Sequence, residues 1–313
     1  MEGRIFLTGG TGSLGRAIVE RANRDRWDCT FTIFSRDEFK QSEMRSLYPN
    51  HKYVLGDVRD LEWLTLVMRD HDIVIHTAAY KQVPAAEVNA GEAVETNVIG
   101  SRNVVRAVLT DNIPVCIGIS TDKACAPINC YGETKALMEK MFQQANLLGT
   151  SKFVLTRYGN VLGSRGSVVP FFRKQLKQGY ITITNEFMTR FWLTLDDAVD
   201  LVEKCEGIPA GCILVPMASS STMRDLAKAV APDAEIRHIG IRPGEKMHEQ
   251  LVHKGESMHT FIGVDSFLVY PAYAALPDYC GSYGLAPESF EYSSDEAPRL
   301  SVSELRELIA KCE

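Results

Sequence analysis

A glycine-rich run, Thr8-Gly9-Gly10-Thr11-Gly12-Ser13-Leu14-Gly15, stands directly after the apolar stretch Ile5-Phe6-Leu7 and before a helical pattern of Leu14, Ala17 and Ile18. Strand, tight turn and helix in that order form the opening of a doubly wound α/β fold. Glycines at 9, 12 and 15 let the chain turn tightly, bring backbone amides against a pyrophosphate and allow close helix–sheet packing. The helix N-terminus then faces negative charge. This run, with Thr11, Ser13 and Leu14 among its glycines, is expected to hold a dinucleotide.

The remaining sequence extends the same architecture. Ile5–Leu7, Thr30–Phe34, Tyr53–Leu55, Ile73–His76, Val115–Ser120 and Phe153–Tyr158 read as strands. Between them, Ala93–Leu109 and Lys135–Leu148 carry apolar residues at helical spacing, so a parallel sheet covered by helices is expected. After Asn160 the pattern changes: a Gly163–Ser167 loop, a helix at Val168–Lys177, a short strand at Ile181–Thr184 and a helix at Arg224–Val230. Thr194 with Asp197, and Ser301 with Glu304, are spaced as helix-capping pairs. Residues 1–160 are therefore expected to form a dinucleotide-binding domain, with a return segment around 191–216, and residues 161–313 a smaller substrate-binding domain. Residues 255–300 carry almost no readable signal.

Composition closes off several function classes. The 313 residues have a net charge of -6 and no basic run of five or more, which argues against nucleic-acid or anionic-membrane binding. No apolar stretch approaches the roughly 20 residues of a membrane span. The first strand begins close to Met1, leaving no space for a signal peptide, so a cytoplasmic protein is expected. The eight cysteines form no C-x-x-C pair and the seven histidines show no ligand spacing, so neither disulfides nor a metal site is expected.

Twenty residues beyond Gly15 lies Ser35, followed by Arg36, with Lys40 about one helical turn further. A basic residue there suits the 2′-phosphate of NADP, whereas an acidic one would take the ribose of NAD. Arg36 and Lys40 favour NADP; Asp37 keeps NAD open. Asp57 and Val58 after the third strand are placed to meet the adenine, and the small residues Ala78 and Ala79 after the fourth permit close approach.

Tyr131 and Lys135 are four apart and share a helix face, where an ammonium near a phenol would lower its pKa towards that of a usable base. Spacing alone is weak evidence, because Tyr48 and Lys52 repeat it in a turn. Position beyond the fifth strand singles out Tyr131; packing of Leu137, Met138, Met141, Phe142 and Ala145 leaves Tyr131 and Lys135 at the margin of the buried face. Thr121-Asp122-Lys123 adds a hydroxyl, a carboxyl group and an amine at the end of that strand. A plain dehydrogenase needs only the tyrosine. The extra acid and base point to elimination: Lys123 takes a proton made acidic by a new carbonyl, and Asp122 gives one to a departing hydroxyl.

These residues, with the 35–44 run, Pro127-Ile128-Asn129, Arg157–Val161, Thr189-Arg190-Phe191 and Arg242–Lys246, resemble the extended short-chain dehydrogenase/reductases, and within them the UDP-N-acetylglucosamine 4,6-dehydratases. Lysine at 123, where the dTDP-glucose dehydratases have glutamate, points to the N-acetylglucosamine branch. The resemblance implies NADP recycled within each turnover, catalysis by Thr121, Asp122, Lys123, Tyr131 and Lys135, and a homo-oligomer, either a dimer or a ring of dimers. It is similar in particular to the inverting enzymes of the pseudaminic acid route. For a UDP-sugar it implies contacts from Lys81, which also reaches the cofactor, and from Asn160, Val168, Arg190, Arg242 and Glu245. Arg190 and Arg242 suit a diphosphate because guanidinium donors are planar and bidentate. A retaining dehydratase, a UDP-sugar 4-epimerase and a non-catalytic NADP sensor remain open; an epimerase has no use for Lys123 beside Asp122.

Overall fold

The apolar runs of the first half assemble into one twisted sheet whose inner strands are buried by helices on both faces, as parallel strands are. In the computed structural model, which describes residues 1–277 and 280–312, these strands are β1 (Gly3–Thr8), β2 (Cys29–Ser35), β3 (Lys52–Leu55), β4 (Ile73–His76), β5 (Val115–Ile119) and β6 (Lys152–Thr156). They lie side by side in the order β3-β2-β1-β4-β5-β6, all parallel. The order reverses between β1 and β4, and a ligand crevice forms at the strand ends beside such a reversal.

The chain then re-enters this sheet. Ile213–Pro216 runs parallel to β6, and the antiparallel strands Ser266–Val269, Thr260–Ile262 and Gly284–Leu285 complete ten strands. The last three come from the segment in which the sequence was nearly silent. Each is only two to four residues long, too short to display a period. The helix Leu195–Cys205, started by a Thr194–Asp197 capping box, docks on the Ser13–Arg24 helix, where Arg21 reaches Asp200 at 3.0 Å and Asp196 at 3.3 Å.

A second apolar core lies beside the sheet's C-terminal edge. Phe172, Ile181, Trp192, Leu226 and Leu305 are buried there by the helices Val168–Leu176, Met223–Val230 and Val302–Lys311 and the paired strands Tyr180–Ile183 and Glu235–His238. The last helix starts at a Ser301–Glu304 capping box.

Two helices differ from expectation in ways that matter for the site. The run expected as one helix over 93–109 contains a π-helical turn, Val94–Ile99, before Gly100–Thr110. One extra residue in that turn rotates the face: Val94 is 40% exposed, while Val104 and Val108 are buried. The helix expected over 135–148 is Cys130–Ala145, capped by Asn129, whose Oδ1 accepts from the Gly132 N–H at 2.8 Å. Starting five residues earlier brings Tyr131 and Lys135 into the buried face, at 9% and 3% exposure, and turns Leu137 outward. Among the described residues all eight cysteines are free thiols.

Candidate active site

A cleft of about 1090 Å³ opens at the carboxyl ends of β1, β4 and β5. The glycine loop forms its floor. Gly9 has φ of +65°, and a Cβ there would stand 2.7 Å from the Ala78 nitrogen; a Cβ on Gly15 would stand 2.5 Å from the Gly10 carbonyl oxygen. Both positions need glycine, the first for conformation and the second for helix packing. Gly15 itself is covered by that packing, whereas Gly9, Thr11, Gly12, Ser13 and Leu14 face the cleft. The cradle suits a pyrophosphate.

Ser35, Arg36 and Lys40 line one end of the cleft. Ser35 is fixed by Gln41, whose Nε2 donates to Ser35 Oγ at 3.1 Å and to the Val54 carbonyl at 2.8 Å. Arg36 is exposed and holds only a 3.5 Å contact to Asp57, which is already paired with Arg59 at 2.7 Å. Lys40 pairs with Asp37, and Asp37 also caps the Glu38–Leu47 helix. Asp37 is thus engaged by its own helix and Arg36 is left free to meet a ligand phosphate. Asp57, Val58, Ala78, Ala79 and Lys81 continue the wall. The cleft walls desolvate Lys81 and push its ammonium below the ordinary lysine value, with Arg165 adding repulsion.

At the other end stand the proton-transfer groups. The Thr121 hydroxyl donates to Asp122 Oδ1 at 2.9 Å, and Lys123 Nζ donates to the same oxygen at 2.9 Å. Asp122 is fully buried beneath the cleft surface, and among the described residues its Oδ2 has no hydrogen-bond partner. Thr121, Lys123, Tyr131 and Lys135 all line the cleft. Burial pushes the Tyr131 hydroxyl up to about 12, outweighing the opposing effects of the Lys123 charge and a hydrogen bond with Thr121. This corrects the expectation that Lys135 lowers it. Lys135 Nζ donates instead to the Ile119 carbonyl at 2.5 Å and to Met138 Sδ at 2.8 Å, and burial pushes it down to about 7. Four-residue spacing sets the helix face but not the direction of a long side chain.

Asn160, on a two-residue strand beside Trp192, lines the cleft with a buried, unpaired Oδ1. The other expected substrate contacts lie off the cleft. Val168 is half-buried in the first turn of its helix, against the second core. Arg190 is buried, donating to the Thr189 and Met247 carbonyls at 2.7 and 3.2 Å. Arg242 is exposed and lies 3.7 Å from Glu245, which borders a separate depression with Lys246 and His248. That loop is docked to the start of the Cys130–Ala145 helix, because Asn129 Nδ2 donates to the Gly244 carbonyl at 2.9 Å.

Several supporting residues gave no sequence signal. Asn97, in the π-helical turn, ties the Tyr80 backbone to Thr134 of the Cys130–Ala145 helix through bonds of 2.7 to 3.0 Å. The Arg165 N–H donates to Ser13 Oγ at 3.0 Å, joining the loop after Asn160 to the glycine run. A Cβ on Gly132 would stand 2.1 Å from the Lys123 carbonyl oxygen, so the helix can approach the 121–123 turn only with glycine there. Gly132→Ala is expected to lower stability by about 1–3 kcal/mol through overpacking. It should also cost activity beyond that loss, measured as turnover well below the melting temperature, by pushing Tyr131 away from Lys123.

Residues 5–269 match the family described as polysaccharide biosynthesis proteins. A UDP-N-acetylglucosamine 4,6-dehydratase (inverting) of Campylobacter jejuni is 42% identical over 322 residues, covering 97% of this chain and 96% of the relative. A UDP-glucose 4-epimerase of Rickettsia bellii is 39% identical, covering 97% and 94%. The X-ray structure of Pen from Bacillus thuringiensis superposes with a TM-score of 0.91 at 30% identity, covering 99% and 98%. A dTDP-glucose 4,6-dehydratase of Streptomyces venezuelae, solved with NAD and TYD, has the same fold at a TM-score of 0.72 and 20% identity, covering 78% and 86%.

Proposed function

The chain belongs to the polysaccharide biosynthesis protein family, and from that premise we propose that it is an NADP-dependent UDP-N-acetylglucosamine 4,6-dehydratase that inverts carbon 5. The observation that carries the reading is the grouping of Thr121, Asp122, Lys123 and Tyr131 at one end of a dinucleotide-sized cleft. An epimerase would use the same tyrosine and cofactor but has no need for Lys123 beside Asp122. The identity of the Campylobacter jejuni relative supports both the dehydration and its inverting outcome.

Held by the glycine run, with Thr11, Ser13 and Leu14 facing it, NADP would supply a hydride acceptor at carbon 4 and a hydride donor at carbon 6. Tyr131, as its phenolate, accepts the proton of the 4-hydroxyl; the Lys123 charge and the hydrogen bond with Thr121 favour that ionised form against the burial that opposes it. The resulting 4-ketone acidifies the hydrogen on carbon 5 of the sugar. Lys123 Nζ, made neutral by passing a proton to the Asp122 carboxylate it bonds at 2.9 Å, takes the carbon-5 proton. The C5–H electron pair forms the C5–C6 double bond as the 6-hydroxyl leaves as water with the proton from Asp122. The unpaired Asp122 Oδ2 is the atom suited to carry that proton. Reprotonation of carbon 5 from the opposite face gives the inverted 4-keto-6-deoxy sugar.

The exposed guanidinium of Arg36, held only at 3.5 Å by Asp57, together with Ser35 and Lys40 beside it, supports NADP over NAD in this reading. Arg36→Ala is expected to weaken NADP binding about tenfold or more, the scale of a charge-assisted bond, and to leave NAD binding nearly unchanged. Fluorescence titration of cofactor-stripped protein measures both. Lys81 and Asn160 are assigned to the sugar nucleotide. Val168, Arg190, Arg242 and Glu245 lie off the cleft and are given no part in binding it here. A homo-oligomer, a cytosolic location and a place at the head of the pseudaminic acid route go with this reading.

Proton NMR of the protein with UDP-N-acetylglucosamine in deuterated water tests the reading. A 4-keto-6-deoxy product carrying deuterium at carbon 5, with couplings of the inverted configuration, is expected. A 4-epimer as the sole product would establish the epimerase instead.

A further inference from the structure

Glu249 is a buried carboxylate beside Lys123 to which the reaction above gives no part. Its backbone is fixed to Ser294 on both sides: its N–H donates to Ser294 Oγ, and its carbonyl accepts from the Ser294 N–H, each at 2.8 Å. The side chain is thereby delivered to a set position. Oε1 lies 3.5 Å from Lys123 Nζ and 3.7 Å from Arg190 Nε, while Oε2 is buried with no hydrogen-bond partner. The two other deeply placed glutamates nearby are fully engaged. Glu139 accepts from Ser120 and Arg157, and Glu256 accepts from Arg157 through both oxygens. A carboxylate kept half-satisfied at such depth costs stability that a purely structural ion pair would avoid.

Charges alternate through this part of the site. Asp122 on the turn holds Lys123 at 2.9 Å, Glu249 faces Lys123 from the start of the Gln250–Val252 strand, and Arg190 closes the series from the Thr189–Leu193 strand. Tyr131, from the catalytic helix, brings only a hydroxyl to the same ammonium.

We propose that Glu249 is a positioning residue for the reaction: its carboxylate bridges Lys123 and Arg190, holds the Lys123 ammonium towards the cleft, and governs when that nitrogen can release its proton and become a base. This rests on the dehydratase reading, in which Lys123 must be neutral to take the proton from carbon 5. Two carboxylates against one ammonium favour the charged form. The structure agrees, since Asp122 and Glu249 raise the Lys123 value against the desolvation that lowers it and the repulsion of Arg190. Without Glu249, Asp122 alone would hold the proton and Arg190 would still repel it.

The test is the pH dependence of deuterium entry at carbon 5 of UDP-N-acetylglucosamine in wild type, Glu249→Gln and Glu249→Asp. The rising limb in Glu249→Gln is expected to shift to lower pH by about 1–3 units, the scale of losing one close opposite charge. Glu249→Asp, which keeps the charge, should return it towards wild type. An unshifted limb in the Gln variant, or one equally shifted in the Asp variant, would overturn the proposal. Competitive acylation of wild-type protein, read by mass spectrometry, covers the case in which Glu249→Gln does not fold. Lys123 is expected to titrate above an ordinary lysine, and titration at or below that value overturns the proposal. Wild-type protein that forms no 4-keto-6-deoxy sugar would overturn the dehydratase reading instead, leaving the acylation result to decide the case for Glu249.

Discussion

Lys123→Ala is expected to reduce formation of the 4-keto-6-deoxy sugar by about 10²–10⁴-fold, the contribution of a positioned general base. Its ammonium lies between Asp122 at 2.9 Å and Glu249 at 3.5 Å, so alanine removes both the base and the cation shared by two buried carboxylates. The cofactor cradle is built from other elements, the glycine run and the ends of β2 and β4, and should bind NADP unchanged. Deuterium entry at carbon 5 is the measurement to follow, because it reports the step assigned to Lys123 rather than the oxidation at carbon 4. A 4-epimerase would lose little, since its chemistry needs only Tyr131. Full turnover of UDP-N-acetylglucosamine by Lys123→Ala would therefore remove Lys123 from the mechanism.

The largest effect on stability is expected from Arg157→Leu. Arg157 is almost fully buried, and its guanidinium donates to Glu139 at 2.6 and 2.9 Å, to Glu256 at 2.8 Å twice, and to the Leu251 carbonyl at 2.9 Å. It joins the catalytic helix to the Lys254–His259 turn, and Glu139 in turn accepts from Ser120 at 2.5 Å, next to Thr121. Leucine would fill part of the space but leave two buried carboxylates without a cation, a loss of about 3–5 kcal/mol. Denaturant melts would measure it.

The same network predicts how stability varies with acid. Desolvation raises the Glu256 value, but the Arg157 charge and hydrogen bonds more than offset this and hold it down at about 2, against an ordinary 4.5. A carboxyl depressed in the folded state contributes stability that is fully present above its unfolded value and is lost as pH falls through its folded value. Glu256 should therefore contribute about 3 kcal/mol above pH 4.5, lost between pH 4.5 and about 2. In Arg157→Leu this acid sensitivity should largely disappear. A melting temperature that falls equally in both proteins across that range would show that the ion network does not hold Glu256 ionised.

How much was legible depended on whether a residue's role is set locally. β4 has the bounds its apolar run implies, and the Thr194 and Ser301 caps appear where their spacing places them, because strand burial and helix capping are short-range patterns. The start of the catalytic helix was hidden because its first turn, Cys-Tyr-Gly-Glu, has no apolar period; Asn129 after Pro127-Ile128 was the available cue. The extra residue of the π-helical turn leaves no mark in the pattern of valines. Arg157 and Glu256 are 99 positions apart, and nothing in a charged residue's own neighbourhood announces that it will be buried. The pairing of Lys135 with Tyr131 misled for the opposite reason: the face was right, but the ammonium turned to the Ile119 carbonyl. Arg190 was singled out for a diphosphate on residue type, whereas here its guanidinium is spent on two carbonyls and Glu249.

In the proposed reaction one hydride leaves carbon 4 and returns to carbon 6 of the same sugar under the control of Tyr131, Asp122 and Lys123. Supplying UDP-N-acetylglucosamine deuterated at carbon 4 to the purified protein, with no cofactor added, tests it most directly. A 4-keto product whose new methyl group carries that deuterium is expected. Deuterium retained at carbon 4 of an epimerised sugar, or lost to bulk water, would contradict it.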